Sequence, residues 1–293
     1  MDKKYIKPPW NWIIRVVGTC LFLWLITRNV DFQAIMSIIS NFSLWAYFVL
    51  IFMYMLNQFL ASLRWRILLD KLEIKISLWK LFKLILLGQI LSQFLPSRIG
   101  GDAARIGYLI ADQPEKKSEA VTATVMDRLL GLFALIIIVF LTVPFGSTLE
   151  GPKMLWLFTI LGGIMLLSIY AFNGNLSWVK KIINKHKLFN TQVGLLIKKW
   201  LKAFLRYRNN KRSLMTTLLI SLLIQLVLVL GQYLTFVALG TQISLKQLFL
   251  VIPLVSLITT LPISLGGLGL REASLTALLN IDNNLILSYT LTR

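Results

Sequence analysis

Five long stretches of this sequence contain no charged residue, and they constrain the fold more than any other feature. They cover residues 32–63, 129–149, 154–179, 213–245 and 247–270. Each is long enough to cross a bilayer, since an α-helix of roughly 20 apolar residues spans the hydrocarbon core. Charged residues make up only 15% of the 293-residue chain, against about a quarter in soluble domains. The sequence therefore predicts an all-α, multi-pass membrane protein and excludes a water-soluble enzyme.

The supply of metal-ligating and nucleophilic side chains is also small. The only cysteine is Cys20 and the only histidine is His186. A single cysteine excludes a disulfide framework within the chain and a thiolate metal site. A single histidine excludes the usual intramembrane zinc sites, which need several such ligands. The sequence contains no Walker-type phosphate loop, and we expect no cofactor.

Positive charge is concentrated in one segment of the chain. The net charge is +19, and residues 174–212 contain eleven Lys and Arg residues but no Asp or Glu. In a multi-pass protein such a segment predicts a cytoplasmic position beside anionic lipid headgroups. Nucleic-acid binding is the alternative, but no nucleic-acid-binding motif accompanies it. We expect one or two amphipathic helices on the membrane surface, or a plain solvated linker.

The distribution of charge along the chain also predicts a topology in the cell membrane. Basic residues before the first apolar run place the N-terminus in the cytoplasm. A first half over about 11–172 is followed by the basic linker 174–212 and a second half over 213–293, all within one membrane domain. The final apolar run is short, and we expect it to be the start of a helix that is cut short. The predicted crossings are 11–27, 43–63, 120–143, 154–172 and 213–239.

Two further apolar segments are interrupted and too short to cross twice. Residues 81–110 are broken at Pro96 and at Gly100–Gly101, and the run from 246 to 281 is broken at Pro262 and Gly266–Gly267. The charge count places both ends of each segment on one side of the membrane. The first segment enters from the cytoplasmic side, and the second enters from the outside. The sequence therefore predicts two re-entrant helical hairpins.

The two interruptions resemble each other. Leu95–Arg105 and Leu261–Arg271 share Leu, Pro, Gly, Gly and Arg at a constant offset of 166 residues. Paired, interrupted segments in two halves of opposite orientation point to a transporter's binding site. Interrupted backbone at membrane depth is tolerated where it is buried in protein or lines an aqueous cavity. The alternative is a pair of packing kinks that bind no ligand.

Ionisable residues in or beside these segments are the candidate binding residues. Each would cost roughly 2.5–3.5 kcal/mol at the bilayer centre, so they must face one another or a polar cavity. Asp102 and Arg105 lie three residues apart and can pair on one helical face. Arg271 and Glu272 do not share a face, so each needs a partner from another helix. Asp127 and Arg128, just inside the apolar segment at 120–143, could supply one. A closed salt-bridge cluster that joins the hairpins is the alternative.

The same residues suit a phosphate group. A half-helix that starts at Gly101 would present free backbone N–H groups and a positive dipole end. Arg98 and Arg105 would add positive charge. Arg64-Trp65-Arg66 is interpreted as an interfacial anchor, with headgroup contact as the second interpretation. The candidate substrate-binding residues are Arg98, Gly100, Gly101, Asp102, Arg105, Asp127, Arg128, Gly266, Gly267, Arg271 and Glu272.

Four sequence blocks resemble those of a known family. Pro96–Arg105, Met126–Gly131 and Pro262–Ala273 are similar to the three signature blocks of the lysylphosphatidylglycerol synthase transmembrane-region family, whose members are also called flippase-like domain proteins. Arg64–Leu69 matches a fourth, weaker block. The resemblance covers nearly the whole chain.

The resemblance implies a role in lipid chemistry or lipid movement. Fused members of that family transfer lysine from lysyl-tRNA to phosphatidylglycerol with a soluble domain. Their membrane domain moves the product outward, which protects bacteria against cationic antimicrobial peptides. No segment of this sequence resembles the soluble domain, so we expect a flippase for an anionic or lysyl-modified phospholipid. A phosphatidylglycerol lysyltransferase component is one alternative. The other is a scaffold for a separate synthase or glycosyltransferase.

Overall fold

The fold is helical throughout the part of the chain that the structure describes. This structure is a computed structural model, and it describes residues 32–40, 42–94, 98–145, 159–163, 210–260 and 269–292, with positions 17, 20, 21, 24, 156, 206 and 207. Within these residues no strand occurs, which agrees with the predicted all-α fold class. The described α-helices are α1 (Phe32–Ser40), α2 (Leu44–Asp70), α3 (Leu78–Phe94), α4 (Arg98–Asp112), α5 (Lys117–Thr142), α6 (Lys211–Ala238), α7 (Leu245–Ile258), α8 (Leu270–Leu279) and α9 (Asn283–Thr292).

Three long apolar helices pack together within the described part of the chain. Helices α2 and α6, and α5 together with the turn before it, are long and apolar enough to cross a membrane. They pack against one another in all three pairs. The chain is therefore a membrane protein, and three of the predicted crossings correspond to observed helices. Most of the predicted crossings at 11–27 and 154–172 and most of the basic segment 174–212 lie outside the described residues.

Local sequence signals explain where several helices begin and end. The Ser43 hydroxyl caps α2 by accepting a hydrogen bond from the Trp45 backbone N–H (3.3 Å), and Ser244 caps α7 in the same way. Such caps satisfy donors that have no partner in the first helical turn. Glu73 (φ 61°) follows α2 and Asn280 (φ 53°) ends α8, both in the left-handed conformation that stops a helix.

Helices α3 and α4 pack closely against each other as a hairpin. The start of α3 and the end of α4 meet where Lys80 Nζ lies 3.3 Å from Asp112 Oδ1. Farther in, a Cβ atom built on Gly101 would lie only 2.2 Å from the Gly88 carbonyl oxygen. The two backbones touch here because neither residue has a side chain, as is common between membrane helices.

The position of the interruption differs from the prediction. Helix α4 begins at Arg98, so Gly100 and Gly101 lie inside its first turn and do not interrupt the helix. Gly101 is needed for the close approach of α3. The residues between α3 and α4, including Pro96, lie outside the described residues, as do Pro262, Gly266 and Gly267 in the second segment.

The polar loops at one end of the long helices are tied together. Lys116 Nζ donates to the Glu73 carbonyl oxygen at 2.9 Å, and Arg206 forms an ion pair with Glu119. The buried Tyr207 hydroxyl donates to the Leu68 carbonyl oxygen at 2.8 Å. Burial raises the pKa of Tyr207, so its hydroxyl remains a donor at neutral pH. These contacts join the loops after α2 and α4 to each other, and they attach the residues before α6 to the end of α2 and the start of α5.

A second core forms where α7, α8 and α9 pack on the last turns of α6. Its central contact is the stack of Tyr289 on Phe236, with ring centroids 4.5 Å apart. Helix α9 also packs against α1. Helix α7 contacts the far end of α5, where the Thr142 hydroxyl lies 3.4 Å from the Phe249 carbonyl oxygen. The short final apolar run is therefore an ordered part of this core.

The Gly88–Gly101 contact gives a stability prediction. We expect Gly101→Ala to lower the unfolding temperature of the purified protein, because the added methyl group would overlap backbone atoms of α3. Overpacking of this kind costs about 1–3 kcal/mol. Thermal unfolding in detergent, followed by size-exclusion chromatography, measures the change.

Gly107→Ala is the matched control in the same helix. No atom lies within 4 Å of a Cβ built on Gly107, and alanine favours helix over glycine by up to about 1 kcal/mol. We expect this variant to be neutral or stabilised. Equal unfolding temperatures for the two variants would contradict the close helix contact.

Candidate functional site

Asp102 joins two helices through two arginines. Its buried carboxylate forms ion pairs with Arg105 on α4 and with Arg128 on α5. The Asp102–Arg105 pair confirms the pairing expected from their three-residue spacing. The Arg128 pair was not predicted, because it joins residues 26 positions apart. Asp102 thus holds α4 against α5 in the apolar interior, where one carboxylate accepts from two guanidinium groups.

A second buried ion pair joins α2, α5 and α6. Arg64 Nε donates to Asp127 Oδ1 at 2.6 Å, and Arg64 Nη1 donates to Ser221 Oγ at 3.0 Å. The Ser221 hydroxyl itself donates to the Thr217 carbonyl oxygen, so its oxygen is available to accept. Gly131 lies one turn after Asp127, and a Cβ built there would lie 3.5 Å from Arg64 Nη1. Gly131 therefore lies beside the guanidinium group, at ordinary van der Waals distance.

Trp65 lies beneath this network and is completely buried. The Arg105 guanidinium carbon is 5.0 Å from the centre of the indole ring, within the range of a cation–π contact. The interpretation of Arg64 and Trp65 as an interfacial anchor is therefore wrong, since both side chains belong to the buried network. Arg66 points elsewhere: its side chain is 46% exposed and lies 3.7 Å from Asp70.

These contacts define a first cluster with an excess of positive charge. Among the described residues, its three arginines and two aspartates give a formal net charge of 3 − 2 = +1. The aspartates and Arg105 are largely buried, whereas the Arg128 side chain is 42% exposed. Positive charge in mostly apolar surroundings favours the binding of an anion. The members of the first cluster are Arg64, Trp65, Asp102, Arg105, Asp127 and Arg128.

A second cluster surrounds Arg271 at the start of α8. Arg271 Nη2 donates to Gln232 Oε1 on α6 at 3.2 Å and to the Tyr289 hydroxyl on α9 at 2.7 Å. Both partners are neutral. Among the described residues, no carboxylate lies within 4 Å of this guanidinium group. The charge of Arg271 is therefore held in place but not neutralised by the residues that the structure describes.

Glu272 is the buried acid of the second cluster. One carboxylate oxygen accepts from the Gly269 backbone N–H at 2.7 Å, and the other lies 3.3 Å from the Thr290 hydroxyl. Glu272 thereby caps α8, with Gly269 in a positive-φ conformation (75°). Within the described ranges, no group of three His, Cys, Asp or Glu side chains is placed to hold a metal ion. The second cluster consists of Gln232, Gly269, Arg271, Glu272, Tyr289 and Thr290.

The two clusters attach to one face of α6 but are separate. Ser221 contacts the first cluster and Gln232 the second, eleven residues apart on the same helix. Eleven residues make about three helical turns, so the two side chains share a face about 16 Å apart along the axis. Asp127 pairs with Arg64, and Arg128 pairs with Asp102. The sequence analysis offered Asp127 and Arg128 as partners for Arg271 and Glu272, and the described ion pairs do not include such a contact.

The structure places most of the predicted site residues in these clusters. Gly101 lies at the helix contact beside the first cluster, and Gly100 precedes it in the same turn. The side chain of Arg98, and the residues Gly266 and Gly267, lie outside the described part of the chain. The predicted list of site residues lacks Arg64 and Trp65 of the first cluster and Gly269 of the second. It also lacks the polar partners Ser221, Gln232, Tyr289 and Thr290. Their only signal is a polar residue within an otherwise apolar run.

Comparison with known proteins gives a family and two similar proteins. The model of the family described as the lysylphosphatidylglycerol synthase TM region matches residues 12–292. A UPF0104 membrane protein of Pyrococcus horikoshii is 23% identical over 95% of this chain and 89% of its own length. A UPF0104 membrane protein of Methanothermobacter thermautotrophicus is 26% identical over 72% of this chain and 68% of its own length. No solved structure matches.

The Arg64–Asp127 pair gives a second stability prediction. We expect Arg64→Leu to destabilise the protein by about 3–5 kcal/mol, because Asp127 would remain as an uncompensated buried charge. The double variant Arg64→Leu/Asp127→Leu should recover much of that loss, since it removes both charges. Thermal unfolding in detergent measures all three proteins.

Arg66→Leu is the control for the same change two residues away. Its partly exposed pair with Asp70 should contribute little, about 1 kcal/mol or less. A double variant no more stable than Arg64→Leu would show that the pair is not the reason for the loss.

Proposed function

This chain belongs to the lysylphosphatidylglycerol synthase transmembrane-region family, and on that basis we propose that it is a lipid flippase of the cell membrane. Its substrate is an anionic or lysyl-modified phospholipid of the phosphatidylglycerol type. The observation that carries the proposal is the pair of arginine clusters on one face of the membrane helix α6. One cluster has a net positive charge, and the other contains an arginine without a described carboxylate partner.

The substrate phosphate binds to the arginines in this proposal. Arg105 and Arg128 flank Asp102, and Arg271 is fixed by Gln232 and Tyr289. Guanidinium groups suit a phosphate because their planar N–H donors match two of its oxygens. Asp102, Asp127 and Glu272 orient the arginines, or receive the ammonium group of a lysyl headgroup. Arg98, Gly266 and Gly267 are proposed to complete the site next to the helix interruptions.

Alternating access to the site follows from two re-entrant hairpins of opposite orientation. Support comes from the contacts of α5. The start of α3 and the end of α4 meet at Lys80 and Asp112, beside the start of α5. Helix α7 begins at the other end, where Phe249 is next to Thr142. Movement of one helical pair against the other would then expose the headgroup site to each leaflet in turn.

Under this proposal the two halves are joined by the basic segment 174–212 in the cytoplasm, where it binds anionic headgroups, and the N-terminus is also cytoplasmic. Outward movement of a lysyl lipid would reduce the negative surface charge and so protect against cationic peptides. In the scaffold alternative, a separate synthase or glycosyltransferase is the partner of this segment. No described residue favours that alternative.

Lipid movement tests the proposal directly. Reconstituted protein should move fluorescent phosphatidylglycerol or its lysyl derivative across vesicle membranes. We expect Arg105→Ala and Arg271→Gln, one from each cluster, to reduce movement to the rate of protein-free vesicles. Each change removes a charge-assisted contact with the phosphate, and such contacts are about twice as strong as neutral ones. Reduction of the outer-leaflet fluorophore measures the rate.

Lys83→Ala is the control, because Lys83 is an exposed cation on α3. It should move lipid at the wild-type rate. If wild-type vesicles move no more lipid than protein-free vesicles, the flippase proposal is wrong. If both cluster variants equal the wild type, the clusters are not the lipid site.

Chemical labelling tests the opposite orientation of the hairpins. Single cysteines at Gln113 and Asn280, with Cys20 replaced by serine, should react with a membrane-impermeant maleimide from opposite sides of the cell membrane. A cysteine at Thr241, in the loop before α7, should report the same side as Asn280. Labelling of Gln113 and Asn280 from one side would exclude the inverted arrangement.

A further inference from the structure

Two buried polar atoms of the described residues have no hydrogen-bond partner. They are the Trp65 indole N–H and the Gln225 side-chain oxygen. About nine in ten buried polar groups in folded proteins are hydrogen-bonded, and a buried group without a partner carries a large desolvation cost. Neither atom has a role in the contacts described above. Each is therefore a candidate for contact with a bound molecule.

Trp65 lies in the first cluster, and Gln225 lies on the face of α6 between the two clusters. Trp65 follows Arg64 in α2, and its ring contacts Arg105, so its N–H is part of the first cluster. Gln225 lies one turn after Ser221 and about two turns before Gln232. By helical geometry Gln225 is rotated about 40° from Ser221 and about 20° from Gln232. It therefore shares their face and lies between the two clusters.

The neighbouring helices place this face in the interior. The adjacent side of α6 contacts α2, where Asn57 Nδ2 donates to the Ile224 carbonyl oxygen at 3.0 Å. The opposite flank carries Val229 and Phe236, which pack in the core formed with α7, α8 and α9. Gln225 is between these two contact surfaces. A headgroup that passes from Ser221 to Gln232 along α6 would pass this amide.

The two atoms have complementary requirements. An indole N–H donates only, and its natural ligand beside three arginines is a phosphate oxygen. The Gln225 oxygen accepts only, so its ligand is a hydroxyl or ammonium group. A phosphodiester whose headgroup carries hydrogen-bond donors meets both requirements. A phosphodiester of the same charge whose headgroup is only a methyl group can accept from Trp65, but it offers no donor to Gln225.

We propose that Trp65 and Gln225 are specificity-determining ligands of the transported headgroup, Trp65 for its phosphate and Gln225 for hydrogen-bond donors beyond the phosphate. This inference rests on the proposed function and narrows its substrate to phosphodiester lipids with donor-bearing headgroups. Selectivity arises because a buried acceptor is left unpaired when the headgroup has no donor.

A comparison of two lipids tests the inference on the unaltered protein. Phosphatidylglycerol and phosphatidylmethanol carry the same charge, and the same fluorescent acyl chain can be attached to both. Only phosphatidylglycerol has hydroxyl donors. We expect the wild-type protein to move phosphatidylglycerol about three- to tenfold faster, the range of a single neutral hydrogen bond. Equal rates for the two lipids would overturn the role of Gln225.

Two substitutions then separate the two ligands. Gln225→Leu should slow phosphatidylglycerol to the rate of phosphatidylmethanol and leave phosphatidylmethanol unchanged. Trp65→Phe keeps a ring beneath Arg105 but removes the N–H, so it should slow both lipids by a similar factor of about tenfold. Gln247→Leu makes the same chemical change as Gln225→Leu at the start of α7 and should alter neither rate.

The outcomes distinguish this inference from the proposed function. If the wild-type protein moves neither lipid, the flippase proposal fails and the inference fails with it. If the wild type moves both lipids and Gln225→Leu slows them equally, the flippase proposal stands and Gln225 is not a headgroup ligand. If Trp65→Phe moves both lipids at the wild-type rate, Trp65 does not bind the phosphate.

Discussion

Charge pairing in an apolar interior is the constraint on which the rest of this structure depends. A guanidinium or carboxylate that faces lipid costs several kcal/mol, so each buried charge is held by an ion pair or by polar groups of the protein. Asp102 meets this need for Arg105 and Arg128, and Asp127 does so for Arg64. These contacts fix the positions of α2, α4 and α5 relative to one another. Apolar packing against lipid-like side chains could not specify them, because helix and lipid surfaces are equally apolar.

Small residues allow the charged network to form where it does. Gly101 lets α4 touch α3 at Gly88, and this contact sets the position of the next residue, Asp102. Gly88 contributes to the same contact, since a Cβ built there would lie 3.1 Å from the Gly101 carbonyl oxygen. The glycines therefore act next to the charges, by permitting close approach. Their value lies in the space they leave, which is a different role from the break in the helix that their sequence suggests.

The sequence predicts local features well and distant contacts poorly. Length and apolar composition identify α2, α5 and α6, and the three-residue spacing identifies the Asp102–Arg105 pair. The Arg64–Asp127 pair joins residues 63 positions apart, and no periodicity reveals which distant residues meet. For the same reason, Arg64 and Trp65 resemble an interfacial anchor until their partners are known. Tyr289 was missed because its role depends on the stacking of α9 against α6.

The difference between the two clusters bears on how a headgroup could move between them. In the first cluster, two aspartates pair with three arginines, so an arriving phosphate competes with carboxylates for the same N–H donors. In the second, Arg271 has only neutral described partners. A phosphate there displaces no described carboxylate. Transport needs sites that bind well enough to attract a headgroup and weakly enough to release it. An arginine held by an amide and a phenol keeps its geometry while it is empty, and it does not have to break an ion pair before it binds. A cluster of paired charges, in contrast, can close again when the headgroup leaves. The combination of one cluster of paired charges and one arginine without a described carboxylate partner on a single helix face therefore favours exchange over permanent capture.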